Sequence, residues 1–124
     1  MSNKRFDRGK QLLSEIVGQP ALQTQKDLNV FAPDAATFLA EYFGDFYSRT
    51  QLDVKTRELV TVSVLAATGK LPQLKVHFQA AMNVGWTNEE LIETMLQLIL
   101  YTGFPTALNA LETLHQFLLE KEIG

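Results

Sequence analysis

Cysteine is missing from this 124-residue chain. Its absence excludes a disulfide framework, Cys-ligated zinc, iron–sulfur clusters and every mechanism that needs a thiol nucleophile. Histidine is scarce as well: the two present, His77 and His115, lie far apart, and no ligand pair stands at i, i+4, which argues against a metal centre. Nor is there an excess of positive charge. Eleven Lys and Arg oppose 14 Asp and Glu, giving a net charge of −3 and a pI near 5.3. Such a chain has no basic field to gather nucleic acid or an anionic membrane surface. The longest apolar stretches, near Val60–Ala67 and Leu91–Tyr101, are broken by polar residues and fall short of the ~20 that cross a bilayer. Met1–Gln11 carries no apolar signal-peptide core, so a cytoplasmic location is expected. A Gly-rich phosphate loop and a nucleophile elbow are also lacking.

Hydrophobic residues make up 46% of the chain and include eight Phe and one Trp, enough for a packed core without staples. A single domain over residues 1–124 is expected from the length. The apolar spacing is helical almost throughout. A first amphipathic helix is predicted over roughly Lys4–Val17, stopped by Gly18 and Pro20. A short helical or irregular piece, Leu22–Phe31, follows. Pro33 suits the first turn of a helix reaching about Ser48, with Phe38, Leu39, Tyr42, Phe43 and Phe46 expected on its buried side. Asp53 is placed to cap a helix ending near Thr68, with Gly69 in the left-handed position beyond it. Pro72 opens the next helix, to Val84, and Gly85 stops it. Thr87-Asn88-Glu89-Glu90 has the form of a capping box and starts a helix to about Thr102. Gly103-Phe104-Pro105 breaks it, and a last helix runs to about Glu122. With no strand-period runs, the fold class is all-α, a bundle of six to seven helices.

The segment Leu91–Tyr101 is apolar around most of its circumference, leaving only Glu93, Thr94 and Gln97 polar. A helix of that kind is buried on all sides. In so small a bundle this points to a homo-oligomer, although one central helix inside a monomer would also serve.

His77 stands in the inward stripe Leu74, His77, Phe78, Ala81, Val84. It is either a core histidine satisfied by main chain or a general acid/base in a half-buried pocket. Glu58 shares a stripe with Val62 and Leu65, so it faces apolar surroundings and needs a partner, unless it merely favours a helix N-terminus. Arg57 offers a planar fork suited to a carboxylate. His115, towards the end of the last helix, fits a structural role.

Three stretches carry a resemblance: LDVKTRELVTVSVLAATGK (Leu52–Lys70), HFQAAMNVGWTNEELIE (His77–Glu93) and YTGFP (Tyr101–Pro105). Together they resemble the carboxymuconolactone decarboxylase family, with the core of the likeness over residues 53–107. The resemblance implies an all-α fold, assembly into trimers or hexamers, a small-molecule substrate and cofactor-free decarboxylation of a carboxylated lactone. It also implies kinship with the alkyl hydroperoxidase D branch, where a Glu and a His flank a Cys-x-x-Cys pair in a proton relay. Aligned on His77, that Glu falls on Glu58, while the sulfur positions fall on Lys70 and Gln73. Thiol peroxidase chemistry is therefore excluded.

On the decarboxylase reading, His77 donates or shuttles a proton, Glu58 orients it and Arg57 anchors a substrate carboxylate. A binding or scaffold protein of the same fold, without catalysis, is the alternative. Geometry sets a condition on the first reading. At a 1.5 Å rise per residue, Glu58 lies about 16 Å from the Gly69–Leu71 turn and His77 about 8 Å. Strictly antiparallel helices would keep the two apart. A steep crossing, or a neighbouring subunit, would have to complete the site.

Overall fold

A computed structural model describes residues 3–123, and those residues are helical with short connections. The elements are α1 (Lys4–Leu12, continued by a π-helical turn, Leu13–Val17), α2 (Gln19–Phe31), α3 (Pro33–Tyr47), α4 (Val54–Ala67), α5 (Leu71–Asn83), α6 (Asn88–Thr102) and α7 (Phe104–Ile123). They fall into two compact units, one ending at Val54 and the other beginning at Lys55.

In the first unit α1 and α2 both pack on α3. Of the face expected to be buried on α3, only Phe43 is half-buried, and Leu39 is exposed. Phe38, Tyr42 and Phe46 are each more than half exposed, and the buried residues are Ala36, Ala40, Glu41 and Gly44. Backbone proximity explains the reversal. A Cβ built on Gly9 would lie 1.7 Å from the Ala40 carbonyl oxygen, and one on Gly44 only 2.8 Å from the Gly9 Cα. Two helices this close admit only small residues at the contact, so the bulky aromatics turn to the other face. The segment at 22–31, expected as a short helical or irregular piece, is helical and belongs to a 13-residue helix that begins at Gln19 and Pro20. Helix α1 ends in a π turn closed by a 2.9 Å bond from the Gly18 amide to the Leu13 carbonyl, which buries Leu13, Ile16 and Val17.

The second unit holds the helices that matter for chemistry. Its core gathers Val62 and Ala66 from α4, Leu74, Phe78 and Ala81 from α5, Leu91 and Met95 from α6, and Ala110, Leu114 and Phe117 from α7. The rings of Phe78 and Phe117 meet at 6.1 Å, joining α5 to α7. Burying each large side chain of this set stabilises by about 1.5–3 kcal/mol, enough together to hold a costly polar group among them. Gly69 (φ 72°) and Gly85 (φ 113°) bracket α5 in left-handed conformations that any Cβ would strain. The capping box forms as its sequence predicts: the Glu90 amide donates to Thr87 Oγ1 at 3.2 Å, and the Thr87 amide donates to Glu90 Oε1 at 3.0 Å. No helix among the described residues is long and apolar enough to cross a membrane.

Candidate functional site

Glu58, Val62 and Ala66 recur every four residues along α4 and form its buried stripe, with Ala66 where Leu65 was expected. The carboxyl group of Glu58 is thus carried into the core, where its side chain is fully buried. Taking a carboxylate out of water costs several kcal/mol unless hydrogen bonds replace its hydration. One replacement comes from α5. Pro72 sets the first turn of that helix, and Leu74, Phe78 and Ala81 fix its inner face by 3–4 spacing. His77 lies at the edge of that face, with its side chain 20% exposed.

Glu58 Oε1 and His77 Nδ1 are 2.8 Å apart. The contact closes within one chain. The difference in their distances from the Gly69 turn is bridged by the two side chains without a second copy. The main-chain partner that a core histidine would take is not what Nδ1 meets; its partner is the Glu58 carboxyl group.

A carboxylate can only accept, so in this contact Nδ1 is the donor and Nε2 is the ring nitrogen not engaged by Glu58. Glu58 is the fully buried member of the pair and His77 the partly exposed one.

Arg57 immediately precedes Glu58 and is half-buried. Successive helical residues diverge by about 100°, so it does not share the buried stripe. His115 is exposed on α7. No group of three or more His, Asp or Glu converges to hold a metal among the described residues.

Trp86 is the residue that sequence reading passed over. Its indole Nε1 donates to the Lys55 carbonyl at 2.7 Å, and the Lys55 ammonium sits 4.5 Å from the ring centroid. The segment between α5 and α6 is thereby fastened to the first turn of α4, less than one turn before Glu58. A lone Trp between a stop glycine and a capping threonine was the available signal, since an indole N–H that leaves water seeks an acceptor. Beside it, the Glu90 carboxyl is held below the ordinary glutamate range by the Thr87 amide first, then by the Thr87 hydroxyl, with the Lys55 charge adding to both.

The model of the carboxymuconolactone decarboxylase family matches residues 33–116, a span that includes Arg57, Glu58 and His77. The chain is 34% identical over 106 residues to the 4-carboxymuconolactone decarboxylase of Acinetobacter baylyi, covering 84% of this chain and 79% of that protein. It is 34% identical over 89 residues to an uncharacterised 15.0 kDa protein of Paracoccus denitrificans, covering 70% and 66%. A third relative, the nitrosuccinic acid decarboxylase of Metarhizium robertsii, is 24% identical over 113 residues, covering 90% and 79%. The chain belongs to the carboxymuconolactone decarboxylase family.

Proposed function

We propose that the protein removes CO₂ from a small carboxylated lactone or a related acid, using Glu58 and His77 as its acid/base pair and no cofactor. The observation that carries this reading is the 2.8 Å contact between a fully buried carboxylate and a partly exposed imidazole. Two relatives bear decarboxylase names, and both named acids pair a carboxyl group with a second electron-withdrawing function.

When the bond to the carboxylate breaks beside an unsaturated lactone, its electron pair passes into the lactone carbonyl. Three things lower that barrier: a donor at the carbonyl oxygen, a proton for the carbon that ends the delocalised system, and apolar surroundings that weaken solvation of the departing carboxylate. Nε2–H of His77 donates to the carbonyl oxygen and passes its proton on to that carbon, with solvent restoring the ring's proton, while Glu58 orients the imidazole at Nδ1. Arg57, from the same turn of α4, anchors a second carboxylate of the substrate through its planar fork.

The same reading has the protein act in the cytoplasm as a homo-oligomer of three or six copies, with neighbouring copies sheltering the exposed edge of His77. The decisive experiment is CO₂ release from 4-carboxymuconolactone, with nitrosuccinate and 3-oxo acids as a panel. Turnover by the wild type should fall by orders of magnitude in His77→Ala. Equal inertness of both proteins across the panel overturns the enzyme and leaves a scaffold of this fold.

A further inference from the structure

The helices of the first unit line a half-open cavity of about 480 Å³ that the Glu58–His77 pair does not explain. Phe6, Leu22 and Ala36 give it an apolar wall, while Lys10, Gln25 and Lys26 supply polar groups, and no acidic residue lines it. Gln25 sits on the buried face of α2 at 6% exposure, and its Nε2 finds no hydrogen-bond partner among the described residues. A buried donor left unpaired is rare and destabilising, and it points to an acceptor that arrives from outside. Lys10 holds its ammonium 5.5 Å from the centre of the Phe6 ring, placing a cation beside an aromatic face.

We propose that this cavity binds a small organic carboxylate. The carboxylate accepts from Gln25 and is neutralised by Lys10 and Lys26, and the carbon frame lies along Phe6, Leu22 and Ala36. The apolar wall is what selects an organic acid over an inorganic anion, which would leave those three residues without contact. All six residues belong to the first unit, so the proposal is independent of the chemistry assigned to His77.

Benzoate is a suitable probe, titrated calorimetrically into the full chain carrying Arg57→Ala, Glu58→Gln and His77→Ala so that the other site cannot contribute. That triple variant should still bind benzoate. Adding Gln25→Leu should weaken binding at least tenfold while raising the melting temperature of the unliganded protein, because leucine fills the space without an orphaned donor. Lys10→Met with Lys26→Met should weaken it similarly and remove its salt dependence. Benzyl alcohol and inorganic phosphate should each bind at least tenfold more weakly than benzoate. Undiminished binding in Gln25→Leu, equal affinity for phosphate, or loss of benzoate binding in the Arg57/Glu58/His77 triple variant would each overturn the site. So would an affinity that falls as protein concentration rises, since a second copy would then be filling the cavity.

Discussion

Glu58 and His77, nineteen residues apart in sequence, meet through Oε1 and Nδ1 at 2.8 Å, with the carboxylate sealed in the core and the imidazole at its edge. Two groups that act as one unit lose their effect together. Glu58→Gln, which keeps the shape and one acceptor oxygen but removes the charge, should lower kcat for decarboxylation by about 10²-fold, in the range of general acid–base contributions. His77→Ala should cost more, and adding Glu58→Gln to it should cost little further. Steady-state kinetics on the two single variants and the double variant measure this coupling. Multiplicative losses would mean that the residues act separately.

Trp86 bears on the same pair at one remove. Its N–H grips the Lys55 carbonyl at 2.7 Å, and Lys55 precedes Glu58 by three positions. Trp86→Phe retains an aromatic ring beneath the Lys55 ammonium and deletes only the donor. The expected loss of stability is about 1 kcal/mol, the net worth of one hydrogen bond. The more telling readout is kinetic. A role in placing Glu58 requires kcat to drop several-fold with KM little changed, whereas a purely structural role would leave kcat alone in the folded fraction.

The reach of sequence reading follows from how local each signal is. Helix limits at Pro33, Gly69, Gly85, Thr87 and Gly103 were legible because caps and left-handed glycines are decided by a few adjacent atoms. The inward stripes holding Glu58 and His77 were legible from periodicity. Their meeting was not, because it depends on how α4 and α5 are placed against each other, which no spacing encodes. The buried side of α3 was misread for a related reason. Hydrophobic size favours Phe38, Tyr42 and Phe46 for the interior, yet the approach of α1 at Gly9 leaves room only for Ala36, Ala40 and Gly44. Periodicity reports which residues share a face, and a neighbouring backbone decides which face is covered.

Acid should weaken the protein through two carboxylates whose folded forms favour the charged state. Glu90 lies below its ordinary value of 4.5, chiefly through the Thr87 amide, and Asp45 below 3.8, chiefly through its hydrogen bond with Arg5. For a group depressed on folding, the stabilisation is complete above the ordinary value and disappears as pH drops through the lower folded one. Melting temperature should therefore hold steady down to about pH 4.5 and decline below it. Glu90→Gln should melt lower than the wild type near neutrality and show a shallower acid decline, with Asp45→Asn flattening a further part. An unchanged acid slope in both variants would assign the decline to other carboxylates.

The outer face of α6 makes the strongest case for assembly. Leu91 and Met95 are buried, but Ile92, Leu96 and Leu100 follow one another at four-residue spacing on an exposed stripe, with Leu100 73% and Tyr101 84% exposed. Val60 and Val64 form a second exposed apolar pair on α4. Monomeric proteins seldom leave contiguous apolar patches beyond a few hundred Å² in water, and burial of such stripes is the main driving force for association. The wild type should sediment as a species of three or six copies. Leu100→Glu would bury a charge at the contact and should shift the distribution to smaller species, with helical circular dichroism unchanged. Because the proposed site relies on neighbouring copies to shelter His77, turnover should fall along with the assembly and recover as protein concentration is raised. A wild type that is monomeric across the concentration range, or a Leu100→Glu variant that assembles as before, removes the partner from the site and leaves His77 facing bulk water.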